Sequence, residues 1–166
     1  MTLIDLQNSY PKPGRVANLF VRPARVEAVR VLDTVIALTD VGLEGDHYQN
    51  HGGSRQVTLI QAEHLEVLAS LLGLNKIAPE LTRRNIVVRG MNLLSLKGKR
   101  FQVGQALLEY SGECHPCSRM ENNFGPGAYN AMRGHGGITA KVVTGGIIKL
   151  GDFVTPEQTK VGSAQS

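Results

Sequence analysis

Two cysteines separated by two residues, Cys114 and Cys117, are the residues of this sequence best suited to chemistry. A cysteine reacts as its thiolate, which a positive neighbour or a helix start stabilises. Cys117 directly precedes a stretch from Ser118 that can begin a short helix, and Arg119 follows two residues later. His115 lies between the two thiols and can act as a base or a hydrogen-bond donor. The segment therefore predicts a catalytic centre made of Cys117, Cys114 and His115.

The residue types alone leave four interpretations of this pair open. Both cysteines can be small core residues, because free cysteine is often buried. A Cys-x-x-Cys pair between a strand and a helix is typical of thiol–disulfide oxidoreductases, although the alternating strand–helix pattern of thioredoxins is missing before Cys114. The pair also has the spacing of zinc ligands, which His135, or His47 with His51, can complete. Finally, one thiolate can carry a transferable sulfur as a persulfide or bind a soft transition metal.

The elements around the cysteines are predicted to be mostly short strands separated by glycine-rich turns. Seven or eight strands are expected, at 26–32, 35–39, 55–60, 86–88, 100–103, 106–110, 137–143 and 147–154. One clear helix is expected at 61–72, where Leu65, Leu68, Leu71 and Leu72 form one stripe before Gly73. Many short strands with one solid helix favour a mainly β, single-domain β-barrel with a few short helices.

Length and composition agree with one folded domain. The chain has 166 residues, of which 42% are hydrophobic and 19% charged. We expect an N-terminal extension at 1–22, the barrel domain at 23–155 and a flexible C-terminal tail at 156–166. No apolar run approaches the ~18 residues of a membrane helix, and the first residues do not form a secretory signal. These features predict a cytoplasmic protein that does not bind membranes.

The charge of the chain is modestly positive. A net charge of +4 is spread along the sequence, with no run of Lys or Arg that would indicate a nucleic-acid-binding arm. We therefore expect no nucleic-acid partner. An anion pocket is the more specific hypothesis, and its candidates are Arg55, Arg83, Arg84, Arg119 and Arg133.

An ordered set of short motifs resembles one known family. The motifs are Gly-Leu-Glu-Gly-Asp-His at 42–47, Arg-Gln-Val-Thr-Leu-Ile at 55–60, Arg-Asn-Ile at 84–86, Pro-Cys at 116–117, Gly-Ile at 137–138 and Ile-Lys-Leu-Gly-Asp-Phe-Val at 148–154. In this order they resemble the MOSC domain, the C-terminal domain of molybdenum cofactor sulfurases. The resemblance extends from about residue 25 to residue 154.

The resemblance implies a β-barrel similar to the small barrel domain of pyruvate kinase. It implies a sulfur carrier or a molybdenum-cofactor ligand, with Cys117 as the metal-binding cysteine, and the family is also associated with pyridoxal phosphate. Stand-alone bacterial members are linked to the reduction of N-hydroxylated compounds, which implies a sulfur donor or acceptor protein or a cofactor-bearing redox partner. The residues expected to bind a cofactor are Asp46, His47, Arg55, Arg84, Asn85, Arg119 and His135.

The segment before the barrel is too short to be the separate N-terminal domain that helps hold the pterin in larger relatives. Cys114 is an addition to the family's single-cysteine pattern and could act as a resolving thiol. Two other functions therefore stay open: a thiol–disulfide oxidoreductase that uses both cysteines, and a zinc-stabilised binding module without enzymatic activity.

Overall fold

A computed structural model describes residues 1–158 as a sheet-rich fold with four short α-helices. The strands are β1 (Gly14–Val21), β2 (Arg30–Leu32), β3 (Thr34–Leu38), β4 (Gly42–Leu43), β5 (Val57–Gln61), β6 (Ile86–Arg89), β7 (Arg100–Val103), β8 (Ala106–Glu113), β9 (Ile138–Thr144), β10 (Gly146–Lys149) and β11 (Phe153–Pro156). The α-helices are α1 (Leu3–Gln7), α2 (Ala62–Leu72), α3 (Ser118–Phe124) and α4 (Ala128–Met132), and 3₁₀ turns lie at Pro79–Thr82 and Leu93–Leu96.

Seven of the strands close into a barrel. Their order is β11-β7-β8-β9-β5-β6-β1, and pairing of β11 with β1, which places Gly14 opposite Val154, completes the ring. Neighbouring strands are antiparallel except β5 and β6, which run parallel. Strand β2 extends the sheet beyond β1, and β10, β3 and β4 form a separate three-stranded sheet. Closure pairs the edges that an open sheet would expose, and it confirms the predicted mainly β barrel.

The hydrophobic core has two parts, one inside the barrel and one between the barrel wall and the helices. Val57 and Leu59 of β5 point into the barrel, and Ile60 of the same strand packs outward in the cluster that contains Leu65 and Leu68 of α2. Strands β1 and β6 likewise place some side chains inside the barrel and others in the outer cluster. Burial on both faces explains the short apolar runs at 19–21 in β1 and 86–88 in β6.

Helix α2 confirms the predicted helix, although one residue of the expected stripe is not buried. Leu65 and Leu68 pack against the barrel wall, but Leu71 is 59% exposed, and Ala62 and Ala69 are buried on the packed face. The helix ends at Gly73, whose left-handed backbone (φ 70°) suits glycine. No helix within residues 1–158 has the length and apolar character needed to cross a membrane.

The predicted N-terminal boundary needs correction. Residues 14–21, placed in an extension at 1–22, form β1 and pair with β2, β6 and β11. A register shift between Val16 and Asn18 interrupts the alternation of side chains in this strand, which hides a two-residue pattern. The barrel therefore begins at Gly14.

The predicted strand at 147–154 is two strands in two different sheets. Strand β10 ends at Lys149, and a turn at Gly151 (φ 84°) leads into β11. The predicted strand at 26–32 is also shorter, since only Arg30–Leu32 pairs. Strand β11 includes Pro156, the first residue of the predicted tail, and 159–166 lie outside the described residues.

Candidate functional site

An open cavity of about 570 Å³ lies where β1 ends and β5 and β6 begin. Because β1 is antiparallel to β6 and β6 is parallel to β5, these three strand ends meet at one edge of the barrel. The loop after β4 and the start of α3 complete the wall. The lining residues are Arg22, His47, Tyr48, Gln49, Asn50, Arg55, Thr58, Arg83, Arg84, Cys117, Arg119 and Met120.

The cavity is strongly positive. Five arginines line it, and none of the twelve lining residues, all within residues 1–158, is Asp or Glu. Guanidinium groups match phosphate and carboxylate geometry, so the wall favours an anionic ligand. Four of the five arginines predicted for an anion pocket lie here, and Arg133 does not line the cavity.

A buried ion pair supports the floor of the cavity. The Asp46 carboxylate accepts from the backbone N–H of Arg22 at 2.7 Å, from its Nε at 3.1 Å and from its Nη2 at 2.8 Å. The Arg22 guanidinium also lies 4.3 Å from the centroid of the Tyr48 ring. Asp46 is 4% exposed and does not line the cavity, so its role in this structure is to hold Arg22 in position.

Asn85 connects the three strand ends behind this ion pair. Its Oδ1 accepts from the backbone N–H of Thr58 at 3.0 Å and from Arg22 Nη2 at 3.3 Å, and its Nδ2 donates to Phe20 O at 3.1 Å. The side chain is fully buried and lies outside the cavity lining. Asn85 therefore ties β1, β5 and β6 together.

Arg84 holds the cysteine segment to the barrel. Its Nε donates to Gly136 O at 2.8 Å, its Nη1 donates to Thr82 O at 3.2 Å, and its Nη2 reaches the carbonyls of Cys114 and His115, each at 3.5 Å. Burial lowers the pKa of this guanidinium from its ordinary value. Four of its five N–H groups contact backbone carbonyls, which makes Arg84 a positioning residue for the loop that carries the thiols.

The two cysteines have different environments. Cys117 is exposed, lines the cavity and directly precedes α3, as the sequence predicted. Cys114 is 2% exposed, and its Sγ lies 3.8 Å from Arg55 Nη2. The accessible thiol is therefore Cys117, while Cys114 lies under an arginine of the cavity wall.

Of the three histidines predicted as site residues, only His47 lines the cavity. His115 and His135 do not. His115 is exposed, and only its carbonyl has a described contact, with Arg84. The ring of His135 lies 5.0 Å from the ring of His64 on α2, and its Nδ1 lies 3.0 Å from Ala131 O. Within residues 1–158 no group of three or more His, Cys, Asp or Glu is placed to hold a metal ion, which disfavours the zinc-site hypothesis.

Six cavity residues were not predicted as site residues: Arg22, Tyr48, Gln49, Asn50, Thr58 and Met120. Arg22 directly follows the apolar run Leu-Phe-Val at 19–21. A charged residue at the end of a buried strand indicates a possible site residue, so this signal was present in the sequence. Its partner Asp46 is 24 residues away along the chain, so the pairing depends on tertiary structure.

Comparison with known families agrees with this architecture. The model of the MOSC domain matches residues 46–155, which is more than half of the chain. The chain therefore belongs to the MOSC domain family. No curated protein matches the sequence at a significant level.

Solved structures show the same fold. The YuaD protein from Bacillus subtilis is 22% identical, with a TM-score of 0.74 over 89% of this chain and 98% of that chain. YiiM from Geobacillus stearothermophilus is 18% identical, with a TM-score of 0.72 over 91% of this chain and 78% of that chain. YiiM from Escherichia coli is 20% identical, with a TM-score of 0.69 over 90% and 71% of the two chains. At these identities the likeness shows the fold.

Proposed function

We propose that this protein uses Cys117 as the thiolate ligand of a molybdenum cofactor, within a system that reduces N-hydroxylated compounds. The observation that carries the proposal is the position of Cys117, an exposed thiol in the wall of an arginine-lined cavity. A thiolate is a soft ligand of the kind that binds transition metals.

The residues present fit such a group. A cavity of about 570 Å³ is within the range of small-molecule sites, and its arginines suit a ligand that carries a phosphate. Within residues 1–158 no cluster of three metal-binding side chains exists. A cofactor that brings its own metal ligands needs only one thiolate from this chain, and Cys117 can supply it. When bound, such a cofactor supplies the two-electron redox chemistry that reduction of an N–OH group requires.

Some residues of this cavity are placed to bind the ligand, and others hold those residues in position. Arg55 and Arg119 line the same cavity as Cys117. Arg84 fixes the backbone before Cys117, and Asp46 fixes Arg22. We therefore assign anion binding to Arg55 and Arg119, and assign positioning to Arg84, Asp46 and Asn85.

Sulfur carriage is the second candidate, and the exposure of Cys117 favours it. A carrier must expose its thiol so that a donor protein can deliver sulfur and an acceptor can remove it. Cytoplasmic location and a sulfur-donor or redox partner protein belong to the same proposal. A dithiol oxidoreductase is the third candidate, in which the exposed Cys117 would attack the substrate and the buried Cys114 would be the resolving thiol.

Elemental analysis and intact-mass measurement of the protein, purified without reductant, test the proposal. Bound molybdenum supports the cofactor site, and an added sulfur atom on Cys117 supports carriage. We expect the Cys117→Ser variant to lose either one, and the matched Cys114→Ser variant to retain most of it. Equal loss in both variants, with ready formation of a Cys114–Cys117 disulfide, would favour the oxidoreductase instead.

Thiol labelling at neutral pH provides a second test. Exposure and neighbouring positive charge predict that an alkylating reagent modifies Cys117 before Cys114. Sulfate soaked into crystals should bind at Arg55 or Arg119, close to that thiol. Preferential labelling of Cys114, or sulfate at remote lysines alone, would contradict the assignment.

A further inference from the structure

The connection between β1 and β2, residues 23–29, is fastened beside the cavity by two arginine side chains. Arg83 Nη1 donates to Glu27 O at 2.6 Å, and its Nη2 donates to the carbonyls of Ala24 at 3.1 Å and Arg25 at 3.2 Å. Arg119 Nη1 donates to the same Arg25 carbonyl at 2.6 Å. Both arginines also line the cavity that contains Cys117.

Only the end of this connection packs against the protein, where the partly buried Val29 contacts the outer core cluster. Residues 25–28 are exposed, and Val26 is 89% exposed. No buried apolar side chain of residues 24–28 holds the segment down. The four guanidinium–carbonyl hydrogen bonds are therefore the main described contacts that hold the backbone of this segment.

We propose that Arg83 and Arg119 form an anion-operated latch, in which a negatively charged ligand entering the cavity takes over their N–H donors and releases residues 23–29. This proposal rests on one part of the proposed function, namely that the ligand of the cavity is negatively charged. It needs neither a metal nor a sulfur on Cys117.

The direction of the exchange follows from hydrogen-bond strength. A guanidinium bound bidentately to a phosphate or carboxylate makes two hydrogen bonds between opposite charges, which are stronger than its bonds to uncharged carbonyls. The carbonyls of residues 24–27 lie at an exposed segment, so water can replace the guanidinium when it leaves. Anion binding is coupled to opening most directly at Arg83, because both hydrogens of its Nη2 already contact the carbonyls of Ala24 and Arg25. A bidentate anion must displace at least one of these contacts.

Arg83 ends the 3₁₀ turn at Pro79–Thr82 in a left-handed backbone conformation. Its φ of 58° places it in the left-handed region, which only one other non-glycine residue of the described chain, Asp40, shares. A non-glycine residue pays a conformational cost there, and such residues concentrate at functional sites. The conformation directs the Arg83 side chain toward the β1–β2 connection, where it contacts three carbonyls.

Limited trypsin digestion of the full chain tests the latch, because Arg25 is both the latched residue and a trypsin site. The probe is pyrophosphate, compared with sodium chloride at equal ionic strength, and cleavage after Arg25 is measured by mass spectrometry. A small chromogenic substrate controls for any effect of pyrophosphate on trypsin itself. Alkylation of Cys117, followed in parallel, reports whether pyrophosphate occupies the cavity.

We expect pyrophosphate to accelerate cleavage after Arg25 in a saturable manner. Arg119→Gln removes one latch contact and should accelerate cleavage about tenfold without pyrophosphate, which corresponds to about 1.4 kcal/mol. Arg133→Gln makes the same change of charge at an exposed residue outside the cavity and should cleave like the wild type. Hydrogen exchange of residues 23–29 in the wild-type protein repeats the test without a substitution.

Two results would overturn the latch. Pyrophosphate that protects Cys117 while leaving cleavage and exchange at 23–29 unchanged or slower would show an anion site without a latch. An Arg119→Gln variant that folds normally and cleaves at the wild-type rate would show that the contact does not hold the segment. Neither result affects the test of molybdenum or sulfur on Cys117, so the two proposals can fail separately.

Discussion

Replacing Asp46 with Asn is expected to destabilise the protein strongly, because it leaves the buried Arg22 guanidinium without its counter-charge. The Asp46 side chain is fully buried, and the Arg22 side chain is 10% exposed. Removing one partner of a buried pair costs about 3–5 kcal/mol. We expect the lower end, about 3 kcal/mol, since Arg22 reaches the water of the cavity. For a chain of this size, that loss lowers the melting temperature by about 6–12 °C.

Urea and thermal unfolding of Asp46→Asn measure this cost directly. The matched control is Glu66→Gln, which breaks the exposed pair of Glu66 and Arg89 at 3.6 Å, where the side chains are 71% and 58% exposed. An exposed pair of this kind contributes about 0–1 kcal/mol. If Asp46→Asn costs no more than Glu66→Gln, with an unchanged dependence on urea, the reasoning about the buried pair is wrong.

Two further predictions concern pH and backbone conformation. Burial lowers the pKa of His64 from its ordinary value of 6.5, so the unfolded chain takes up a proton there before the folded protein does. Stability should therefore fall as the pH decreases below about 6.5. His64→Gln should flatten this part of the unfolding profile, and an unchanged profile in that variant would contradict the argument. Gly137 has a φ of 91°, and an added Cβ would overlap Leu59 O, so Gly137→Ala should cost more than about 3 kcal/mol. Gly151→Ala, at a similar φ of 84° but with no atom within 4 Å of the new Cβ, should cost about 1–2 kcal/mol in the same unfolding assay; equal costs would refute the argument from overlap.

Local patterns predicted those elements whose boundaries are set locally. The strand at 100–103 was placed correctly because alternating residues lead into the turn at Gly104. The sequence pattern does not indicate strand β1, because a register shift breaks its alternation. It predicts one strand at 147–154, because the turn that divides this segment is short. The sheet that each half joins depends on partners far away in sequence, β3 for one half and β1 with β7 for the other.

The sequence predicts which residues belong to the candidate site better than it predicts how they are arranged. Cys117, His47, Arg55, Arg84 and Arg119 do line one cavity. The sequence could not separate residues that face the cavity from those that support it, since both kinds are polar and both follow glycine-rich or strand-end positions. That separation is decided by the closure of the barrel, which buries Asp46 and Asn85 behind the wall.

The five arginines of the cavity, which look equivalent in the sequence, differ in how many of their N–H donors remain available. Arg84 contacts four backbone carbonyls, and Arg22 contacts Asp46, Asn85 and the carbonyl of Arg83. Among the described residues, Arg55 donates to one sulfur and Arg119 donates to one carbonyl. A guanidinium has five N–H groups, so these two retain most of their capacity for an anion. Arg83 donates to three carbonyls of the exposed β1–β2 connection, where water can replace it, so its donors become available when that segment opens. The positive charge of Arg22 and Arg84 still contributes to the field of the cavity, but their donors are held by buried partners. Direct binding of a ligand therefore falls to Arg55 and Arg119, joined by Arg83 once the connection is released.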